Sequence, residues 1–313
     1  MHVSTSSLRT ENNTTVRPEK MAPPLFRWGM RVLSSVAPPL ATQAAERLFF
    51  KPRRRQSRVP HLEGIPAQPF RVRGIHEVQA WSWGQGPAVF LVHGWEGSPY
   101  QLRAFIRPLV ESGHRVIALD LPAHGDSSGG EVSVIDFAEA IRAVAAVVGE
   151  PKAIIAHSLG ATSTALALSQ GLGKVERVVL LSAGADALWF ARQMASYIDL
   201  GDKPLSGLLE RVQHRIGDRA TYLPRLVGAA KAQALFVHDP LDPDVPFSHA
   251  RALSSAWPGS HLHAVYDVGH YALLKDVVVV GQVLRFVLEG YVPEEINMPE
   301  GWHAAGEETL VMG

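Results

Sequence analysis

Three side chains that together can cleave an acyl bond stand at separated points of this chain. They are Ser158, a carboxylate in the loop 239–244, and His270. A serine hydroxyl is a poor nucleophile at neutral pH and needs a neighbouring base, the role that histidine fills most often. A carboxylate then fixes the imidazole tautomer and stabilises the imidazolium. The order of the three residues along the chain therefore suggests nucleophilic acyl chemistry.

Ser158 stands where an apolar run gives way to a helical pattern. Residues 153–156 are apolar, as in a buried strand, and residues 162–168 are typical of a helix. Ala156 and Gly160 flank the serine at minus two and plus two. Small flanking residues let strand and helix approach closely around a strained, exposed serine. Alternatively, Ser158 is an ordinary helix N-cap without a catalytic role.

The elements needed to position these residues follow a repeated order of strand, loop and helix. Such an order predicts a mostly parallel sheet with helices on both faces, and the loops after its strands meet at one edge. A hairpin of 70–73 and 78–83, with one face in solvent, should precede this region. Buried strands are expected at 87–92, 115–119, 153–156, 175–181, 232–237 and 261–266. A single helix is expected over 271–288, after the last strand.

The repeated order breaks after residue 185. Residues 186–230 carry helical patterns without an intervening strand, which indicates a small helical cap over the edge that bears Ser158. Trp189, Phe190 and Met194 in this cap are candidates for lining an acyl pocket, and an apolar packing face would explain them equally well. His93 follows the first buried strand and is a further pocket candidate, with structural packing as its alternative.

Composition excludes several classes of chemistry. The 313 residues include no cysteine, so disulfides, thiolate metal sites and a cysteine nucleophile are absent. The spacing of His, Asp and Glu matches no metal motif, and neither a metal nor another cofactor is expected. Beyond residue 60 the chain holds 19 Lys and Arg against 27 Asp and Glu, which argues against nucleic acid as a partner. No apolar run reaches the 18 residues or so that a membrane-spanning helix needs.

The N-terminal region has the opposite charge. Residues 1–60 hold 11 Lys and Arg against three Asp and Glu. Residues 1–20 are expected to be disordered, and 21–60 to form a basic, partly helical arm. This arm either packs on the domain or makes weak peripheral contact with an anionic membrane surface, in an otherwise cytoplasmic protein. In both cases we expect the arm to have no effect on which acyl chain length the protein prefers. The main domain is expected at 61–290 and a tail at 291–313.

Four motifs in order resemble the α/β-hydrolase superfamily, in particular its single-domain bacterial serine esterases. The resemblance covers about residues 70–289. It is carried by His93-Gly94-Trp95, Ala156-His157-Ser158-Leu159-Gly160, Asp242-Pro243-Asp244-Val245-Pro246 and Gly269-His270. Ala156 departs from the usual glycine. The resemblance implies the α/β-hydrolase fold and an esterase activity on a small-molecule ester.

It also implies roles for particular residues. The acid of the family stands three residues before a Val-Pro pair, which selects Asp242 over Asp239 and Asp244. The backbone N–H groups of Trp95 and Leu159 would form the oxyanion hole. The substrate could instead be a thioester or an amide. Acyl transfer, perhydrolysis and carbon–carbon hydrolysis with the same three residues also remain open. The alternative from another functional class is a binding protein that has this fold but no enzymatic activity.

Overall fold

The computed structural model describes residues 21–293; the segment 1–20, expected to be disordered, and most of the expected tail lie outside this range. An eight-stranded sheet forms its centre, in the order β1-β2-β4-β3-β5-β6-β7-β8. β2 runs antiparallel to β1 and β4, and all other pairs are parallel. The strands are β1 (Gln68–Arg73), β2 (Glu77–Trp83), β3 (Ala88–Val92), β4 (Arg115–Leu119), β5 (Ala153–His157), β6 (Arg177–Leu181), β7 (Gln233–His238) and β8 (His261–Ala264).

Helices cover both faces of this sheet, as the sequence predicts, and each face has its own apolar core. Two helices, α3 and α11, pack on one face, whereas α4, α5 and α9 contribute to the core on the other. The helices are α1 (Pro24–Val36), α2 (Pro38–Phe50), α3 (Arg103–Glu111), α4 (Val134–Val148), α5 (Leu159–Ser169), α6 (Ala187–Ile198), α7 (Asp202–Ile216), α8 (Asp218–Thr221), α9 (Phe247–Ala256), α10 (Gly269–Ala272) and α11 (Val277–Glu289).

Two details of the sequence prediction are wrong. The hairpin strand β2 has no solvated face, because it lies between β1 and β4 instead of at the sheet edge; Trp83 is only 1% exposed. A single helix was expected over 271–288. The chain instead forms α10 and α11, and the Asp276 carboxylate caps the second helix by accepting hydrogen bonds from Val278 and Val279 N–H.

The segment between β6 and β7 is helical, as expected for a cap. It comprises α6, α7 and α8, followed by two short 3-10 turns, 223–225 and 227–229. Asp186 starts α6 by accepting hydrogen bonds from the N–H groups of Leu188 and Trp189. Such N-capping satisfies N–H groups that a helix leaves without partners.

The arm consists of α1 and α2 and packs on this cap. The Thr42 hydroxyl of α2 donates to the Pro204 carbonyl at 3.2 Å, and the Ser34 hydroxyl of α1 accepts from Gly201 N–H at 3.1 Å. Arm and cap therefore form one layer of helices. Within residues 21–293, no helix has the length and apolarity needed to cross a bilayer.

Candidate active site

Ser158 lies at the sharp turn between β5 and α5. Its φ of 53° and ψ of −126° are a strained conformation for a residue with a Cβ. Gly160 makes the turn feasible, since a Cβ there would stand 2.1 Å from the His93 carbonyl oxygen. Ala156 meets no such obstacle, because it lies within β5, paired to Val92 and Leu180. Strand and helix together hold the serine hydroxyl at the carboxyl edge of the sheet.

His270 connects Ser158 to Asp242. The Ser158 Oγ lies 3.0 Å from His270 Nε2, and His270 Nδ1 lies 2.7 Å from Asp242 Oδ2. The imidazole N–H donates to the carboxylate, which leaves Nε2 free to accept the serine proton. The structure thus brings these three sequence-predicted residues into one hydrogen-bonded chain.

The neighbouring carboxylates have other contacts. Asp239 Oδ2 accepts hydrogen bonds from Val268 N–H at 2.9 Å and Gly269 N–H at 2.6 Å, and so fixes the loop that carries His270. Asp244 donates its backbone N–H to Asp242 Oδ1 at 2.8 Å. The acid that is hydrogen-bonded to the His270 ring is Asp242.

Opposing effects set the charge of Asp242. Burial alone would raise the pKa of its carboxyl group. The hydrogen bond from His270 and the positive charges that His270 and His238 can carry outweigh burial, and the pKa falls to about 2. Asp242 is therefore ionised wherever the protein would normally work, as an orienting carboxylate must be.

Other histidines near the site are fixed in the neutral state. Burial lowers the pKa of both His93 and His157 to about 3. The His157 Nε2–H donates to the His270 carbonyl oxygen at 2.9 Å, and the two rings lie 4.7 Å apart. His93 accepts from Leu121 N–H at 3.1 Å and donates to the Gly94 carbonyl oxygen at 2.7 Å. His93 is therefore a packing residue and does not line the cavity described below.

The turn after β3 lies directly against the serine. A Cβ on Gly94 would stand 2.8 Å from the Ser158 Cβ, so the backbone of this turn can approach only because residue 94 is glycine. Trp95, next in the chain, lines the same cavities as Ser158. Leu159 begins α5, and N–H groups of a first helical turn have no intrahelical acceptor. The two residues whose backbone N–H groups are expected to form the oxyanion hole therefore belong to the surroundings of Ser158.

The turn that carries Trp95 is anchored from outside the sheet. Glu96 follows with a positive φ of 53°, and its N–H donates to His124 Nε2 at 2.8 Å. The guanidinium of Arg53, in the arm, donates to Glu96 Oε1 at 3.0 Å and to Glu96 Oε2 at 2.7 Å. The arm therefore helps to hold the turn beside the nucleophile, a role that the basic sequence 51–55 does not reveal by itself.

An apolar cavity opens beside Ser158 under the cap. It encloses about 280 Å³, many times the roughly 10–15 Å³ that one water molecule needs. Of the cap residues expected to line it, Phe190 and Met194 do so. Trp189 lies outside the cavity lining and packs its ring against Phe190 and His249. The cavity has room for an acyl chain of several carbons.

The arm supplies part of the cavity wall, which the sequence analysis did not anticipate. Leu48, Phe49 and Phe50 of α2 line the cavity together with the cap. Phe50 is 1% exposed and lies under the guanidinium of Arg215, 4.2 Å from the ring centre. The expectation that the arm has no bearing on acyl preference is therefore inconsistent with the lining of the cavity.

A second, polar recess shares Ser158 and Trp95 with the apolar cavity. It is lined by charged and amide side chains, which suit a polar group better than a hydrocarbon chain. These are Arg53, Arg55, Glu96 and Gln101, with Tyr271 beside them. The serine thus stands between an apolar and a polar compartment.

Potential metal ligands occur in one cluster within residues 21–293. Donor atoms of Asp242, Asp244 and His270 lie within 4.8 Å of one another. Asp242 and His270, however, are already bonded to each other as described above. The cluster is accounted for by the contact between the carboxylate and the imidazole, and we assign no metal to it.

We expect the rate of the catalysed reaction to fall as the solution is acidified, because only the neutral imidazole of His270 accepts the serine proton. His93 and His157 stay neutral above about pH 3 and Asp242 stays ionised above about pH 2, so none of them adds a step near neutral pH. Measuring kcat/KM on an activated short-chain ester tests this. A flat profile, with chemistry shown to be rate-limiting, would contradict the assigned base.

Comparisons with known proteins support this architecture. Residues 87–200 match the sequence model of the alpha/beta hydrolase fold family. No curated protein matches the chain. A bacterial membrane phospholipase A is similar in structure with a TM-score of 0.57 and 17% identity, over 85% of this chain and 98% of that one.

Two further solved structures are comparable. An esterase from Pyrococcus furiosus gives a TM-score of 0.58 at 17% identity, covering 76% of this chain and 95% of its own. A putative lipase from Acinetobacter baumannii has a TM-score of 0.57 at 18% identity. The match covers 81% of this chain and 96% of that one. At such identities the likeness concerns the fold alone. With the sheet order and the serine turn, the match over residues 87–200 and the structural similarities show that the chain has the α/β-hydrolase fold.

Proposed function

We propose that the protein is a serine hydrolase that cleaves a carboxylic ester, or a related thioester, with a neutral apolar acyl group. The observation that carries the proposal is the hydrogen-bonded chain from Ser158 through His270 to Asp242, beside an apolar cavity. Solved structures of similar fold include an esterase and a phospholipase. Their fold agrees with the proposal.

The first half of the reaction forms an acyl-enzyme. Ser158 Oγ attacks the substrate carbonyl carbon while His270 Nε2 takes the hydroxyl proton. The carbonyl oxygen becomes an oxyanion, which the N–H groups of Trp95 and Leu159 stabilise. The bond to the leaving alcohol or thiol then breaks, and His270 delivers its proton to the departing atom.

The second half releases the acid. Water replaces the leaving group and gives a proton to His270 as its oxygen attacks the acyl carbon. The bond to Ser158 Oγ breaks, and His270 returns the proton to the serine. Throughout, Asp242 holds the Nδ1–H and balances the positive charge that forms on the ring.

The two compartments beside Ser158 suggest how the substrate is placed. The apolar cavity under Phe190 and Met194 would hold the acyl chain, which gains free energy by leaving water. The polar recess would hold the leaving group. A panel of p-nitrophenyl esters of increasing acyl length tests the activity and its preference directly. Acylation of Ser158 with no hydrolysis of any ester in the panel would instead indicate a different acyl acceptor.

We expect Phe190→Ala and Leu48→Ala to shift the acyl-length profile toward longer esters, since each enlarges the cavity from one of its two walls. One methylene more or less in a hydrophobic pocket changes kcat/KM by roughly 10–200-fold. The ratio of kcat/KM for long esters to kcat/KM for short esters should therefore change by about tenfold or more. Arg192→Ala is the matched control, on the same helix as Phe190 but exposed. An unchanged profile in both variants would show that these side chains serve only packing.

A further inference from the structure

The first helix of the arm turns its apolar side toward solvent. Leu25, Trp28 and Val36 are 78%, 64% and 74% exposed, and Val32 joins them at helical spacing. The buried side holds Met30 and Ser34. An amphipathic helix normally buries its apolar stripe against the protein. Here the stripe formed by Leu25, Trp28, Val32 and Val36, called the apolar face of α1 below, is left without a protein partner among residues 21–293.

The second helix of the arm also exposes apolar side chains. Leu40 is 57% exposed and Leu48 46%. Leu48 also lines the apolar cavity beside Ser158. Both helices of the arm therefore carry exposed apolar side chains, and one of these belongs to the cavity wall.

The arm that bears this face is positively charged. Arg27 and Arg31 both reach the single carboxylate of Asp199, at 3.7 Å and 2.6 Å, so one positive charge of α1 is left uncompensated by that carboxylate. Arg53 and Arg55 likewise share Glu96. Residues 21–60 hold eight Lys and Arg against one Glu. The apolar face thus belongs to an arm with excess cationic charge.

We propose that the apolar face of α1 docks on an anionic lipid bilayer, with the helix lying in the plane of the interface. Trp, Leu and Val on one side and Arg on the other are the composition of such interfacial helices. Anionic headgroups complement the excess cations. A second copy of the chain fits less well, because a two-fold contact would bring the same positive charges against each other.

The inference goes beyond the hydrolase activity and does not depend on it. Removing the arm would be a poor test, because Phe49 and Phe50 line the cavity and the helices pack on the cap. Substitutions on the exposed face leave these contacts intact.

The experiment uses the full chain and vesicles of phosphatidylcholine with or without phosphatidylglycerol. The double variant Trp28→Gln, Val36→Gln removes two of the most exposed side chains of the face. The matched control is Val277→Gln, Val278→Gln, two valines that are 84% and 67% exposed at the start of α11. Flotation of the vesicles measures binding, and hydrolysis of a short-chain ester checks that each variant is folded.

We expect the wild type and the control to float with the anionic vesicles and the double variant to bind at least tenfold more weakly, with ester hydrolysis unchanged in all three. Binding should also weaken with added salt, which screens the cations. The proposal is overturned if the wild type fails to bind, if the double variant binds equally, or if neutral vesicles bind as well as anionic ones. A wild-type dimer without lipid that the double variant converts to monomer would also overturn it.

Discussion

Ser158→Ala should lower kcat by about 10⁴-fold or more while leaving the fold intact, because no other group near His270 can supply the nucleophile. The alanine keeps the Cβ and removes only the hydroxyl, whose hydrogen bond to His270 Nε2 is 3.0 Å long. Residual turnover would come from the oxyanion donors and binding alone. Steady-state kinetics on a short-chain ester, with a thermal unfolding curve beside them, measure the effect.

Ser182→Ala is the matched control for this variant. Ser182 follows the neighbouring strand β6, is fully buried and also has a positive φ, of 49°. It lies outside the hydrogen-bonded chain that ends at Asp242. If Ser182→Ala were inactive and Ser158→Ala retained most of its kcat, the assignment of the nucleophile would be wrong.

Asp242→Asn should also lower kcat by several orders of magnitude, about 10⁴-fold in a comparable triad. The amide cannot balance an imidazolium, and its NH₂ group favours the imidazole tautomer with the wrong nitrogen protonated. The loss should fall on kcat, since Asp242 is buried away from both compartments.

Two neighbouring acids make this result specific. Asp244→Asn should stay near wild type in kcat. Asp239→Asn should mainly lower the melting temperature, because one oxygen of Asp239 accepts hydrogen bonds from both Val268 and Gly269 N–H. A damaging Asp244→Asn beside a near-normal Asp242→Asn would contradict the choice of acid.

The sequence was sufficient to predict the sheet and the relation of its loops. Continuous apolar runs mark strands such as β3 and β5, and parallel strands place the residues that follow them at one edge. Ser158, the acidic loop 239–244 and His270 could be grouped from their positions after three strands, and the family resemblance selected Asp242 within that loop. Periodicity does not reveal which strands are neighbours, so the burial of β2 between β1 and β4 was missed.

The cavity was harder to predict, because it depends on contacts between distant segments. Phe190 and Met194 line it, whereas neighbouring Trp189 does not, and a one-residue step on a helix decides between the two. Nothing in the sequence 48–50 indicates that α2 crosses to the cap. The same holds for Arg53, whose partner Glu96 lies 43 residues further along the chain.

The most direct test of the central claim is covalent labelling of the intact protein with a fluorophosphonate, which reacts with activated serines. The account predicts one adduct per chain, located by peptide mass spectrometry at Ser158. Ser158→Ala should give none, and Asp242→Asn should label far more slowly. An adduct at any other residue, or equal labelling of Ser158→Ala, would contradict the claim that His270 and Asp242 activate Ser158.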